Sequence, residues 1–453
     1  MHLSVTGTGH LGATHAACLA SLGHRVVGCD TDVAKVEALS SGHAPFHEPG
    51  LDDLLRDGLA TGALRFTTDP AVAAQADLHF VCVGTPQRPG SHAADLTALD
   101  AAVDALAPHL DRPCLVVGKS TVPVGTARQV AERLRTSAPA GGEVRVAWNP
   151  EFLREGHAVA DSLHPDRLVL GVERDEDDQL LREVYAPVVA AGVPVVRTDL
   201  ATAELAKVSA NVMLAARISL VNLLAEVCEV ADADVADLTR ILGLDDRIGS
   251  LFLSPGLGFG GGCLPKDTRA FAARAEELGV GAPAALLRVV DEVNMRQRAR
   301  TIDQAAAMLG GRVGGARVAV LGVAFKAGSD DVRDSPALDV AATLQARGAR
   351  VRVYDPRAGV NAHRVQPALE VADGVEDACR DADLVLVLTE WPEFAGIDPV
   401  ALLDVVAHPR VLDARLVLEP DKWCAAGWEL HALGRSLGRT MRGSASGSGS
   451  GGG

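Results

Sequence analysis

Lysine is scarce in this chain of 453 residues: six of its 43 basic residues are lysine and the rest are arginine. Arginine serves well enough wherever only surface charge is needed, so each surviving lysine marks a place where a compact ammonium does what a guanidinium cannot. The six are Lys35, Lys119, Lys207, Lys266, Lys326 and Lys422. An excess of positive charge is also lacking. The 43 basic residues face 59 acidic ones, for a net charge of −16. That argues against nucleic acid or an anionic membrane as partner, while leaving room for a small anion in a locally basic pocket. No apolar run reaches the roughly 18 residues of a membrane span, and the N-terminus enters a strand without the basic start of a signal peptide. A cytoplasmic protein with no membrane partner is expected. The eight cysteines (18, 29, 82, 114, 228, 263, 379 and 424) include no C-x-x-C pair. Reduced thiols, no disulfide framework and no metal site are expected from them.

What is present describes a globular protein, with 48% hydrophobic and 23% charged residues. The length exceeds what one core serves, so two or three domains are expected. Residues 2–7 form an apolar strand that gives way to Gly7-Thr8-Gly9-His10-Leu11-Gly12, an Ala-rich helical run, and a second strand from Arg25 to Cys29 ending on Asp30. A bare G-x-G-x-x-G is weak evidence. Strand, glycine turn, helix, strand and terminal acid in this order form the dinucleotide fingerprint. The glycines admit a pyrophosphate to the helix N-terminus, and an acid at position 30 accepts from a ribose while repelling a 2′-phosphate, which favours NAD over NADP.

Three further strands end in polar, proline-marked turns: Gly84-Thr85-Pro86, Lys119-Ser120-Thr121-Val122-Pro123, and Asn149-Pro150-Glu151-Phe152-Leu153-Arg154-Glu155-Gly156. Ligands of open α/β sheets collect at such strand ends, although Thr-Pro and Asn-Pro taken singly are ordinary turn formers. A long apolar helix is expected over 202–233. On it Glu204, Lys207 and Asn211 share one face, which is either a buried polar site or an exposed polar stripe. A second helical stretch runs over 282–309. After Gly310-Gly311-Arg312-Val313-Gly314-Gly315 a second α/β half begins, without the tight G-x-G-x-x-G.

The run Gly258-Phe259-Gly260-Gly261-Gly262-Cys263-Leu264-Pro265-Lys266-Asp267 is the densest in chemistry. Glycines let backbone approach a ligand closely. If Pro265 begins a helix, Cys263 lies at its N-terminal mouth, where the dipole and a nearby ammonium favour thiolate. A lone cysteine after glycines is more often an inert residue in a tight turn, so the rest of the chain decides between the two.

Taken in order, Glu48-Pro49-Gly50-Leu51, Ser120-Thr121-Val122-Pro123, Asn149-Pro150-Glu151-Phe152-Leu153, Lys207 with Asn211, and the 258–267 run resemble the nucleotide-sugar 6-dehydrogenases over residues 1–430. The resemblance implies an α/β fold of two Rossmann-like domains joined by a long central helix and a helical dimerisation region. It divides the chain into an NAD-binding domain over 1–199, a central helical domain over 200–309 and a nucleotide-sugar-binding domain over 310–434, with 435–453 a disordered Gly/Ser tail. It also implies a homodimer, NAD as cofactor and a nucleotide-sugar substrate. The activity implied is four-electron oxidation of the sugar C6 alcohol to a carboxylate, with Cys263 forming a thiohemiacetal and then a thioester that water hydrolyses.

By the same resemblance Lys207 is the ammonium that stabilises oxyanions, Asn211 a neutral donor beside it, and Asp267 the relay for the first proton. Thr121 and Glu151 position water, Glu151 as general base. Gly7, Gly9, Leu11, Gly12, Asp30, Lys35, Thr85, Pro86, Thr121, Glu155, Lys266 and Arg333 fall at cofactor positions. Glu151, Phe152, Leu153, Arg154, Glu155, Lys207, Asn211, Arg247, Phe252, Leu253, Ser254, Pro255, Gly256, Gly260, Lys326 and Arg415 fall at nucleotide-sugar positions. Two departures stand out: His10 where many members carry Tyr in the glycine turn, and an unfamiliar Leu253–Leu257 loop near the expected sugar contacts. UDP-glucose is the favoured substrate, with dTDP-glucose and then GDP-mannose as alternatives. Readings of another class are a non-catalytic nucleotide-sugar or NAD sensor, which would lack Cys263 or Lys207, and a two-electron 3-hydroxyacid dehydrogenase, which needs no second α/β domain.

Overall fold

A computed structural model describes residues 1–435; the reading of a Gly/Ser tail falls, apart from Arg435, outside the described residues. Short β-branched strands separated by amphipathic helices build two parallel sheets, as the alternation in the sequence requires. The first sheet contains β1 (His2–Thr6), β2 (Arg25–Cys29), β3 (Leu64–Thr67), β4 (Leu78–Val81), β5 (Cys114–Gly118), β6 (Val144–Trp148), β7 (Leu168–Gly171) and β8 (Val195–Thr198). Their spatial order is β3-β2-β1-β4-β5-β6-β7-β8. Neighbours run parallel except β6 and β7, which meet in an antiparallel pairing at Trp148 and Gly171. The second sheet contains β9 (Arg317–Leu321), β10 (Arg350–Tyr354), β11 (Glu370–Val371), β12 (Leu384–Val387), β13 (Arg410–Asp413) and β14 (Glu429–Ala432). Its order is β11-β10-β9-β12-β13-β14, and all its pairings are parallel. Both sheets reverse direction beside their first strand, and ligands of such sheets gather at that reversal.

The chain divides into two compact units. One holds Met1–Asn211 and Lys266–Ala284; the other holds Val212–Pro265 and the chain from Ala285 onward. In the first unit two apolar layers cover the faces of the sheet, one around Leu3, Val5, Leu55 and Phe80 and the other around Val116, Leu134, Val146 and Trp148. In the second unit the main core runs from Val318 and Leu321 through Leu386 and Leu412 to Trp423, with smaller clusters around Phe259 and around Val235.

The buried central strands match the sequence reading to within two residues. The strands it lacks are β3, β7, β8, β11 and β14, which are short and mostly flank the centre. β8 has two exposed residues between two partly buried ones, and both residues of β11 are exposed. One expectation is corrected. The helix Leu200–Ala231 is long and apolar enough, by length and composition, to cross a membrane. Alanine lets so long a stretch stay apolar without a run of large side chains, and the helix still buries Glu204, Lys207 and Asn211.

Candidate active site

In the first unit the site grows from the ends of β1, β2, β4, β5 and β6. Gly7 closes the β1 turn with φ +87°, and a Cβ on Gly12 would lie 1.8 Å from the Gly7 carbonyl oxygen. Glycine at 12 is what lets the His10–Ser21 helix start so close to the strand. No side chain caps that helix, and a Cβ on Gly9 would meet nothing within 4 Å. A bare helix N-terminus facing open space suits a pyrophosphate. Leu11 is partly buried beside it.

Asp30 follows β2 and accepts from the Thr8 amide (2.7 Å), the Lys35 ammonium (2.9 Å) and the Asp32 amide (3.0 Å). Burial opposes its ionisation, but Lys35 and the two amides outweigh burial and hold the carboxyl below its ordinary value. The strand-end acid and the lysine expected at cofactor positions are therefore one ion pair.

Thr85 donates to the Thr121 carbonyl at 2.6 Å, tying the turn after β4 to that after β5. With Pro86, Lys266, Asp267 and Arg274 these two residues line one cleft. On the Leu200–Ala231 helix all three polar residues are buried, and each has a partner. Glu204 accepts from the Gly125 (2.7 Å) and Ala127 (2.6 Å) amides and so caps the Thr126–Ser137 helix; its partner is backbone. Lys207 pairs with Glu151 at 2.9 Å, the two side chains being 5% and 12% exposed. Asn211 donates to Asp267 at 2.6 Å, and Lys266 pairs with the other oxygen of the same carboxylate.

Glu151 also accepts from the Leu153 amide. Burial pushes its carboxyl up, but Lys207, that amide and Lys119 together hold it below the ordinary glutamate value. The arrangement is a buried carboxylate beside a buried ammonium, with a neutral amide and a second carboxylate one helical turn further on. It can stabilise an oxyanion and move protons.

Around this group, Phe152 is stacked beneath Arg167, with the guanidinium carbon 3.8 Å from the ring centre. Leu153 and Glu155 are partly buried. Arg154 is exposed and held by Asp161 at 2.6 Å.

Two residues given no role by the sequence reading belong to this region. Glu48 accepts from the Gly156 and Ala158 amides, both at 2.8 Å, and pairs with His10 at 3.0 Å. The departure from Tyr at position 10 thereby joins the cofactor turn to the 151–158 segment. Lys119 is buried with its Nζ 2.9 Å from Asn149 Oδ1. The scarcity of lysine was the signal that could have found it.

The second unit carries the other expected residues. The glycines of the 258–262 loop are required by the protein's own packing. A Cβ on Gly260 would lie 2.3 Å from the Asp334 carbonyl, one on Gly261 2.8 Å from the Phe325 ring, and one on Gly262 2.5 Å from the Arg333 guanidinium. Close approach to a ligand is not needed to explain their density. Asn294 accepts from the Phe259 amide (2.7 Å) and donates to the Phe259 carbonyl (3.0 Å), and Gly261 donates to the Arg333 carbonyl. Cys263 is the residue before the Leu264–Glu277 helix, and it is exposed. The other thiols are buried or half-buried. Burial pushes Cys18, Cys82 and Cys379 up to about 12 and Cys29 and Cys114 up to about 11. A buried thiol in that range is inert at neutral pH, which leaves Cys263 as the accessible one.

Arg415 donates to the Leu388 carbonyl (3.1 Å) and the Gly258 carbonyl (3.2 Å). It adjoins Leu253, Ser254 and Pro255 around one cavity, while the Gly256 amide donates to Asn222 at 2.8 Å. Phe252 adopts φ +59°, uncommon for a bulky residue. Lys326 lies 5.8 Å from the Phe325 ring centre. Arg333 is paired with Asp331 at 2.6 Å, and Arg247 with Asp245 at 2.6 Å.

Comparison with known proteins supplies the remaining observation. Family models of the UDP-glucose/GDP-mannose dehydrogenase family match in three consecutive parts: the NAD binding domain at residues 1–189, the central domain at 201–296 and the UDP binding domain at 319–420. A UDP-glucose 6-dehydrogenase of Rhizobium meliloti is 40% identical over 96% of this chain and 100% of its own length. A solved UDP-glucose dehydrogenase from Pyrobaculum islandicum is 36% identical with a TM-score of 0.89, covering 96% of this chain and 98% of that one. A UDP-D-ManNAc dehydrogenase structure from Pyrococcus horikoshii reaches a TM-score of 0.86 at 27% identity, covering 96% and 100%. Backbone shape therefore does not separate plain from N-acetylated sugars.

Proposed function

The chain belongs to the UDP-glucose/GDP-mannose dehydrogenase family, and from that premise we propose that it oxidises the C6 alcohol of UDP-glucose to the carboxylate of UDP-glucuronate. It is an NAD-dependent oxidoreductase. When bound, NAD would supply the hydride acceptor for each of two oxidations. The bare N-terminus of the His10–Ser21 helix and the Asp30–Lys35 pair are the groups that would hold its pyrophosphate and adenosine ribose.

In the first step the C6 hydroxyl loses its proton toward Asp267, and Lys207 and Asn211 stabilise the developing alkoxide. An aldehyde has no further hydride to give until a nucleophile adds to it. The Cys263 thiolate bonds to the carbonyl carbon, the thiohemiacetal gives up the second hydride, and a thioester remains. Water then attacks the acyl carbon, Glu151 takes its proton with Thr121 orienting it, and the carbon–sulfur bond breaks to release the acid. Arg415, Lys326 and the 252–256 loop are assigned to the nucleotide sugar, with Arg247 and Gly260. Lys266, Thr85, Pro86, Glu155 and Arg333 are assigned to the cofactor.

The observation that carries this reading is the stretch from Cys263 to Asp267. The one exposed thiol of eight immediately precedes a helix whose first turn brings Asp267 into a hydrogen bond with Asn211. A homodimer is part of the same proposal. Met213, Leu220 and Val227 recur at seven-residue spacing on the Leu200–Ala231 helix, with Leu223 and Val230 between and beyond them, and all five are exposed. That is the seam of a helix awaiting a partner helix. We place the enzyme in the cytoplasm, where its NAD and reduced thiols are kept.

The deciding experiment is NADH release by Cys263→Ala and the unaltered enzyme, measured with UDP-glucose, dTDP-glucose, GDP-mannose and UDP-N-acetylglucosamine. Two NADH per UDP-glucose from the unaltered enzyme and no acid from the variant are expected. Full acid production by Cys263→Ala would end the thioester mechanism, and two NADH from another sugar alone would reassign the substrate.

A further inference from the structure

Two of the six lysines hold no family position. Lys422 is exposed and reaches only the Ile397 carbonyl, at 3.5 Å. Lys119 is buried deep in the first unit, at the end of β5. Its Nζ donates to Asn149 Oδ1 at 2.9 Å and lies 3.5 Å from the Tyr185 hydroxyl. Tyr185 donates to the same Asn149 oxygen at 2.6 Å, and Asn149 Nδ2 donates to the Val169 carbonyl at 2.9 Å. Asn149 is thus fixed at three points. It opens the Asn149-Pro150-Glu151 turn, and proline leaves little backbone freedom between it and Glu151.

A buried ammonium needs a counter-charge. The titratable groups facing Lys119 are His15 of the His10–Ser21 helix, Cys82 beyond β4, Tyr185 after the Asp175–Val184 helix, Glu151 after β6, and Lys207 of the Leu200–Ala231 helix. Burial holds His15 well below its ordinary value and pushes Cys82 up to about 12 and Tyr185 well above its ordinary value, so all three are neutral. Lys207 is a second cation. Glu151 is the anion of the set: Lys207 pairs with it at 2.9 Å, and Lys119 acts on it at longer range as a second positive charge.

We infer that Lys119 is a positioning residue for the hydrolytic half of the reaction: its buried ammonium fixes Asn149, and with it the turn that presents the Glu151 carboxylate to the attacking water, and adds to the positive charge acting on that carboxylate. During hydrolysis Lys207 is engaged with the oxyanion of the thioester. Lys119, which touches neither substrate nor cofactor, is then the cation that remains for Glu151. This explains why the position is lysine in a chain that prefers arginine. A guanidinium is larger and would fork toward several partners, whereas the ammonium is one compact charge.

The inference rests on the thioester reading, and its test separates the two. The acyl-enzyme at Cys263 is followed by rapid quench and intact mass, and its hydrolysis is timed from about pH 3.5 to about pH 7, a range that spans the Glu151 carboxyl, held below its ordinary 4.5, and over which Lys119, lowered by burial to about 8, keeps its charge. Lys119→Gln removes the charge and keeps an amide donor for Asn149. Removing one nearby positive charge raises a carboxylate by about one pH unit or more. The acid limb of hydrolysis should therefore move up by about one unit in Lys119→Gln, with about tenfold slower hydrolysis below the limb, an unchanged plateau above it and unchanged acylation. Asn149→Asp tests the same point if that variant does not fold, because a carboxylate against the Lys119 ammonium cancels its charge and should move the limb in the same direction. A limb that stays in place, or a loss shared equally by acylation and hydrolysis, would overturn the role given to Lys119. Absence of any Cys263 adduct in the unaltered enzyme would instead overturn the thioester reading.

Discussion

The two sheets share one strand order over their first six strands and put it to different uses. In the first, β1 runs through a glycine turn directly into a helix whose N-terminus no side chain caps. In the second, β9 is followed by Gly322 and then a 13-residue excursion before the Pro336–Ala346 helix, whose N-terminus is capped by Ser335. The acids after the second strands differ in the same way. Asp30 faces Lys35 and Thr8 at the site. Asp355 is buried and accepts from the Val323 and Ala324 amides, the Arg357 and Ala358 amides and the Trp391 indole, all within 3.1 Å. One acid is available to a ligand and the other is consumed by its own turn. Topology decides where a ligand can sit, and the first turn decides which ligand.

The largest effect should come from filling the space between turn and helix in the first sheet. A methyl at position 12 would overlap the Gly7 carbonyl, so Gly12→Ala must push the helix away from the strand. Overpacking of this kind costs about 1–3 kcal/mol. NAD affinity measured by calorimetry should fall about 10- to 100-fold, with a lower thermal midpoint and UDP binding unaltered. Equal losses for NAD and UDP would mean that the two turns are not specialised.

Removing the first-sheet acid comes next. Asp30→Ser should lower discrimination of NAD against NADP by about 10-fold or more, since a hydrogen bond to a charged group contributes about 1.5–3 kcal/mol. Asp355→Asn should leave that ratio alone and destabilise the second unit. The two differ in pH dependence as well. The Asp30 carboxyl is held below its ordinary value of 3.8, so its contribution to stability is complete at neutral pH. It is lost only as pH falls below 3.8 through the lower folded value. Unfolding midpoints of the unaltered protein and Asp30→Ser should therefore converge in acid.

What could be read in advance follows the same division. The first turn was legible because glycine spacing, strand and terminal acid are all local, and Lys207 with Asn211 because helical spacing is local too. The role of Glu204, which spacing places on the same face, was not legible because its partners, the amides of Gly125 and Ala127, lie nearly eighty residues away. The glycines at 258–262 read as a ligand cradle, but their cause lies in Asp334, Phe325 and Arg333, which no pattern of spacing connects to them. Lys119 was visible only as a composition anomaly, since its role depends on Tyr185 and Asn149 closing around it.

The smallest effects give the sharpest contrast. Gly9 has φ −68°, which any residue adopts, and a methyl there would meet nothing. Gly9→Ala should therefore leave the unfolding midpoint unchanged while occupying room that a pyrophosphate needs, weakening NAD about tenfold as one misplaced methyl does in a packed site. Ser335→Ala should do the reverse. It removes the oxygen that accepts from Leu338 and the hydroxyl that donates to the Val323 carbonyl. Losing such a cap costs about 1 kcal/mol, read as a shift in the unfolding transition of the second unit, with NAD affinity untouched. If Ser335→Ala weakened NAD as much as Gly9→Ala, the second turn would be serving the cofactor, and the contrast between a vacant helix end and a capped one would not be what separates the two sheets.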